Sequence, residues 1–420
     1  MILKFRKIIL ACLAVAALLI SVFLPQTAAA HGERATEPSI RTRSVHWYDL
    51  TWSTEKLGVN EAVTVQGKFR LMNDWPDAVA QPSLVFLSTG GPSAVLTRVE
   101  TYINGMPAQQ SFKKMELGRD YDFKIVMKGR VPGNWHLHPV LNVHNAGPII
   151  GPGAWVTVEG NKADFKEPIK TMQGLQIDDT ENYGVARAQM WQAGYALVAV
   201  VWLVWWLRRP LLISRWRVLQ KGREDLLVTR ADDKMAAGVS VFLLVVVIVG
   251  YIKINEEFPQ LVPLQGSTVY TEPLPADPSG VAIKLKRAEY DVPGRSMRLS
   301  VEMTNNTDQP LGIGEFTTAN LRFINKALPT AVAAIDPKYP KELMPANGLV
   351  VDSNKPLAPG EKRVVMLDTT DVAWEEERLV SFLSNVDSRT GGLVFFYDPQ
   401  GKRYISEVSG SILPVFKKTI

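Results

Sequence analysis

Cysteine and histidine, which carry most metal and redox chemistry, are nearly missing from this chain. There is one cysteine, Cys12, and there are five histidines in 420 residues. A single thiol excludes a disulfide framework. Because Cys12 lies in an apolar leader, the processed chain is expected to have no thiolate ligand at all. That rules out a blue-copper electron carrier and a thiolate-bridged dinuclear copper centre, both of which need cysteine. Charge of one sign is also scarce. The net charge of +5 traces largely to one short basic loop, so the basic stripe that nucleic-acid binding requires is absent.

The leader supplies the first positive signal. Lys4, Arg6 and Lys7 precede a mostly apolar run from Ile8 to Leu24, and Ala28-Ala29-Ala30 offers small residues for cleavage. Residues 1–30 therefore read as a cleaved secretory signal. Cleavage after Ala30 makes His31 the new N-terminus, where a free α-amine and an imidazole can grip one ion together. An α-amine has a pKa of about 8 and is readily deprotonated by a bound metal.

From 31 to 170 the pattern is all-β. Val63, Val65, Phe69 and Leu71 alternate, as do Tyr121, Phe123, Ile125 and Met127, with Gly and Pro clusters between such runs. A connector is expected over 171–184. Residues 185–207 and 235–253 are apolar enough for two membrane helices. The loop 208–234 holds Arg208, Arg209, Arg215, Arg217, Lys221, Arg223, Arg230 and Lys234 against four acids, which places it in the cytoplasm. Both soluble regions then face the other side. Residues 265–420 form a second β-rich region, with alternation in Val281, Ile283, Leu285 and in Met297, Leu299, Val301, Met303. It has no histidine and no cysteine, so it is assigned a docking or structural role.

All five histidines, at 31, 46, 136, 138 and 144, lie in the first β region. In Trp135-His136-Leu137-His138, strand alternation puts both imidazoles on one face with Cα atoms roughly 6.6 Å apart. Two rings so placed can meet on one ion at bonds of about 2.0–2.1 Å. His144 shares their parity but would stand about 20 Å further along the strand. His46 is read as hydrogen-bonded within the sheet, with a second ion as the alternative. His31, His136 and His138 with the α-amine make a nitrogen-only donor set, which suits copper or zinc and binds Cu(II) more tightly. Ligand types leave three roles open: oxygen chemistry, a structural metal site, and copper delivery.

Several segments in the same order resemble one family. These are His31-Gly-Glu-Arg, His46-Trp-Tyr-Asp, Pro132-Gly-Asn-Trp-His136-Leu-His138, Asn145-Ala-Gly-Pro-Ile-Ile-Gly-Pro-Gly-Ala-Trp155, Arg208-Arg-Pro210 and Val292-Pro-Gly-Arg295. Together they look like the B subunits of the particulate methane and ammonia monooxygenases. The resemblance implies two periplasmic cupredoxin-like domains (31–170 and 265–420) joined by a membrane helical hairpin. It also implies assembly with A and C subunits into a trimer of heterotrimers in a bacterial inner or intracytoplasmic membrane. Copper would be held by His31, His136 and His138, and methane would be oxidised to methanol with O2 and a quinol. Some relatives hold further copper with the residue matching His46 and a Gln; here that Gln position is Tyr404, which puts the further site in doubt. The Trp135 motif and Pro148-Ile-Ile-Gly look closer to the methane enzymes than to the ammonia enzymes. The resemblance leaves open whether oxidation occurs in this polypeptide, or whether it is a non-catalytic scaffold or copper-delivery component with the chemistry in the C subunit.

Overall fold

A computed structural model describes residues 38–92, 94–107, 111–170, 174–210, 213–258, 268–276, 280–371 and 388–416. The leader with Cys12, and His31, lie outside the described residues. The described chain is mainly β, with two long apolar helices. It divides into two compact units: a β unit built from both ends of the chain (1–165 and 266–420) and a helical unit between them (166–265).

Among the described residues, the first half of the β unit has the short helix α1 (Pro38–Arg43) and eleven strands. These are β1 (Val45–Trp52), β2 (Lys56–Gly58), β3 (Ala62–Leu71), β4 (Leu84–Gly90), β5 (Leu96–Ile103), β6 (Met106–Pro107), β7 (Phe112–Lys113), β8 (Arg119–Gly129), β9 (Gly133–Val143), β10 (Gly147–Ile150) and β11 (Ala154–Glu159). One sheet runs β1-β3-β8-β5-β6, and the other places β9 centrally between β4 and β11, with β10 folded back along it. The alternating residues of β3 and β8 all point inward: Val63, Val65, Phe69, Leu71, Tyr121, Phe123, Ile125 and Met127 are buried together in one core. From β9, Leu137 and Leu141 join the same core.

In the helical unit a small ladder pairs β12 (Ile169–Lys170) with β13 (Gln176–Ile177). Helix α2 runs Val185–Leu207, α3 Ile213–Gln220 and α4 Arg230–Glu257. Helices α2 and α4 are each long and apolar enough to cross a membrane. The helix that carries the expected membrane span 235–253 extends beyond it at both ends. Thr229 and Asp232 form a reciprocal capping box that starts it at Arg230, inside the expected loop. Asp232 also accepts from Trp205 Nε1 (2.9 Å) and Arg209 Nη2 (2.8 Å), tying the two long helices at one end. Arg187 pairs with Glu257 at 2.6 Å at the other.

The second half of the β unit opens with a departure from the expected boundary. Strand β14 (Val269–Tyr270) pairs in parallel with β7, so it extends the first half's sheet rather than the second's. The other boundary moves too, since the β unit ends at Phe165 rather than 170. The remaining strands are β15 (Val281–Asp291), β16 (Ser296–Asn305), β17 (Gly312–Thr318), β18 (Leu321–Ile324), β19 (Leu349–Val351), β20 (Lys362–Thr370), β21 (Arg389–Tyr397) and β22 (Arg403–Val415), with the short helix α5 (Pro329–Ala333) after β18. They form one sheet in the order β18-β17-β21-β22-β15-β16-β20-β19 over their own core.

The two halves meet along a seam. Tyr48 and Met72 of the first half are buried with Ile324, Ala331, Leu393, Phe395, Tyr397 and Ile405 of the second. Ion pairs flank this patch. Arg403 grips Asp49 through both oxygens (2.6 and 2.5 Å), Arg70 bridges Asp120 and Glu407 (2.8 and 2.7 Å), and Asp74 accepts from Arg389 (2.8 Å) and Arg43. Asp49 sits at a bulge in β1 with φ of +51°. Its partner strand carries Gly67 there, where a Cβ would lie 3.0 Å from the bulge backbone.

Candidate metal centre

Strand β9 positions the site. His136 and His138 leave one face while Leu137, 3% exposed, anchors the other in the core. The two imidazole centroids are 4.5 Å apart with planes at 87°, so the rings meet edge to face. His138 is itself buried at 3% exposure. Its Nδ1–H donates to the Gly151 carbonyl at 3.0 Å, and because a carbonyl only accepts, the neutral ring in this arrangement carries its lone pair on Nε2. A backbone acceptor behind one ring nitrogen is the usual support for a metal-ligating histidine.

Space for the rings comes from glycine. Across the ladders His138 pairs with Gly90 of β4 on one side, and Gly153 immediately precedes β11 on the other. A Cβ on Gly153 would overlap His138 Cε1 outright and lie 2.6 Å from its Nδ1 and 2.9 Å from His136 Cε1. Two residues on, β11 offers the opposite extreme. Trp155 pairs directly with His136 and lays its indole against the ring, with centroids 4.9 Å apart and planes at 35°. A cavity of about 230 Å³ borders His138, lined by Ser88, Thr89, Val140, Asn142, Pro148 and Ile150.

The other histidines stand elsewhere. His144 is exposed in the turn between β9 and β10. His46, on β1, is 2% exposed and its Nε2–H donates to the Thr42 carbonyl at 2.8 Å. Burial holds its imidazole below the ordinary value, against the opposing pull of that carbonyl. Tyr404 is buried in the core of the second half. Among the described residues no three His, Cys, Asp or Glu side chains converge as an ion site. The described part of the expected centre is thus two imidazoles in a glycine-walled cleft, with the His138 tautomer suited to ligation. That donor set fits a nitrogen-loving metal such as copper. Sequence reasoning misses Gly153 and the pairing of Trp155. The Gly-Pro-Gly run reads as a turn, and cross-strand pairing is not visible in a single strand's periodicity.

Residues 32–416 match the sequence profile of the monooxygenase B-subunit protein family. The chain belongs to that family. A relative from Methylococcus capsulatus (strain Bath), named particulate methane monooxygenase alpha subunit, is 39% identical over 397 residues, covering 94% of each chain. Among solved structures, the cupredoxin domain of AmoB from Nitrosocaldus yellowstonii aligns with 31% of this monooxygenase subunit and 95% of its own length, at 18% identity and a TM-score of 0.25. The fibronectin(III)-like modules of Clostridium thermocellum CbhA align over 88% of this chain and 94% of their own, at 7% identity and a TM-score of 0.15.

Proposed function

We propose that this chain is the copper-binding B subunit of a particulate methane monooxygenase, the membrane complex that converts methane and O2 to methanol and water with a quinol as reductant. The observation that carries the reading is the His136–His138 pair, 4.5 Å apart, with His138 held in one tautomer by Gly151. The 39% identity to a relative named particulate methane monooxygenase alpha subunit supports membership of such a complex. The α-amine and ring of His31 would complete the ligand set once the chain is cut after Ala30.

Copper bound there would supply the one-electron chemistry with O2 that no amino-acid side chain provides. The chain's own part is geometric. Gly151 keeps the His138 proton on Nδ1, Gly153 admits both rings, and Leu137 pins the strand between them. His46 is read as hydrogen-bonded to Thr42 and Tyr404 as part of the second core; the copper proposed is the one at His136 and His138. Both β halves are assigned to the periplasmic side. Two features support this: the basic loop between the long helices, and the return of the chain after the helical unit to the same β unit. The A and C subunits and membrane lipid are the partners.

A second reading rests on the same pair of imidazoles. A site that holds or delivers copper, with oxidation in the C subunit, fits the same geometry. One experiment addresses both. In the intact complex, His136→Ala and His138→Ala are expected to lower copper per protomer, and mass spectrometry is expected to find His31 at the N-terminus. Unchanged copper, or a different N-terminus, overturns the ligand set. Lost copper with unchanged methane turnover, the C-subunit metals being intact, establishes the second reading over the first.

A further inference from the structure

Trp155 is 51% exposed, an unusual place for an indole on a strand whose alternate residues Val156 and Val158 are buried. Its ring is not spent on the hydrophobic core. Its packing partner is His136, directly opposite in the β9–β11 ladder. Trp155 also lines a cavity of about 310 Å³, together with Trp52, Glu55, Lys338, Pro340 and Glu342. His138 has a carbonyl behind it and is nearly fully buried. His136 is only half-buried. Without the indole, the His136 ring would lose its contact across the β9–β11 ladder.

We propose that Trp155 is the positioning residue of the metal centre. Its indole holds the His136 ring in the orientation from which it and His138 share one ion. The inference rests on the copper reading of the histidine pair. Two physical effects act together. The flat indole narrows the set of orientations open to the His136 ring. Coordination also draws electron density from the imidazole, so the electron-rich indole face attracts the metal-bound ring more than the free one. Trp155 therefore contributes to affinity and not to shape alone. The expected order at this position is Trp, then Phe, then Leu, then Ala.

The test uses the intact membrane complex carrying Trp155→Ala, Trp155→Leu or Trp155→Phe, with His136→Ala alongside. Cu(II) affinity is read by chelator competition, and ligand geometry by electron paramagnetic resonance of the bound Cu(II). Because Trp155 is half-exposed, folding is expected to survive, and thermal unfolding checks it. Trp155→Ala and Trp155→Leu should weaken binding by about 10–100-fold, the range for supporting residues around a metal, and split the Cu(II) signal into several species. Trp155→Phe should restore a single species and most of the affinity. Wild-type affinity and spectrum in Trp155→Ala, or Leu performing as well as Phe, overturns the assignment while His136→Ala still abolishes the signal. A Cu(II) signal indifferent to His136→Ala overturns the copper reading and this inference with it.

Discussion

One glycine beside the histidine strand and two in the second half make room for different kinds of ring. In the second half, Gly314 makes way for Tyr397 and Gly392 for Phe316, and the space is filled by aromatic rings that close the core. In the first half, Gly153 makes way for His138 and His136, and the space is filled by polar rings that face outward from it. The second half also spends its charge inward. Glu315 and Arg322, 1% and 4% exposed, pair at 2.6 Å inside it. The difference sets aromatic rings that close a core against imidazoles packed beside a central strand. Breaking each half should therefore produce different symptoms.

The largest effect is expected from Glu315→Gln. It leaves the Arg322 guanidinium buried without its countercharge, at a cost of about 3–5 kcal/mol. Chemical denaturation should show the loss, while copper per folded protomer stays unchanged. Gly153→Ala should do the reverse. Its Cβ overlaps the His138 ring, so copper affinity should fall about a hundredfold, with little change in the denaturation midpoint of the second half. If Gly153→Ala binds copper normally, the glycine-walled cleft is not the metal site.

The seam gives a smaller effect that joins the halves. Asp49→Asn keeps a residue that tolerates the left-handed backbone but removes the charge that Arg403 grips. A loss of about 1.5–3 kcal/mol is expected from a broken charge-assisted pair. Acid should reproduce part of it. Burial alone would raise the Asp49 carboxyl, but the hydrogen bonds and charge of Arg403 outweigh it and hold it below the usual value. A depressed carboxylate stabilises the fold above its unfolded pKa of about 3.9, and that contribution is lost as pH falls through the lower folded value. Wild-type thermal stability should thus fall below about pH 4, and Asp49→Asn should flatten that limb. The smallest effect is expected from His46→Gln, whose amide can still donate to Thr42. Copper content should not change, and a drop would return His46 to the set of ligands.

Much of this division is legible in the sequence. Alternation exposes the strands and puts His136 and His138 on one face, and two long apolar runs mark the helices. What stays hidden depends on pairing between distant segments. Asp49 and Arg403 are 354 positions apart, and each alone reads as an ordinary solvated charge. Gly153 reads as a turn residue until β11 is laid beside β9. Val269–Tyr270 is too short a run for periodicity to assign, and only the edge of β7 says which sheet it joins. The start of α4 escapes notice because charged Arg230, Asp232 and Asp233 look like loop. Capping is a local hydrogen-bond arrangement that a hydropathy window does not see.

Strand β14 has a consequence for biosynthesis. The sheet that carries the histidines ends in a strand that the ribosome makes about a hundred residues after β11, beyond both long helices. Until Val269–Tyr270 arrives, the edge at Phe112–Lys113 is unpaired, and Asp49, Asp74 and Arg70 lack their partners from 389–407. The β unit is therefore finished only after the helical hairpin has been made. A chain that stalls at the hairpin would present its histidines on an incomplete sheet.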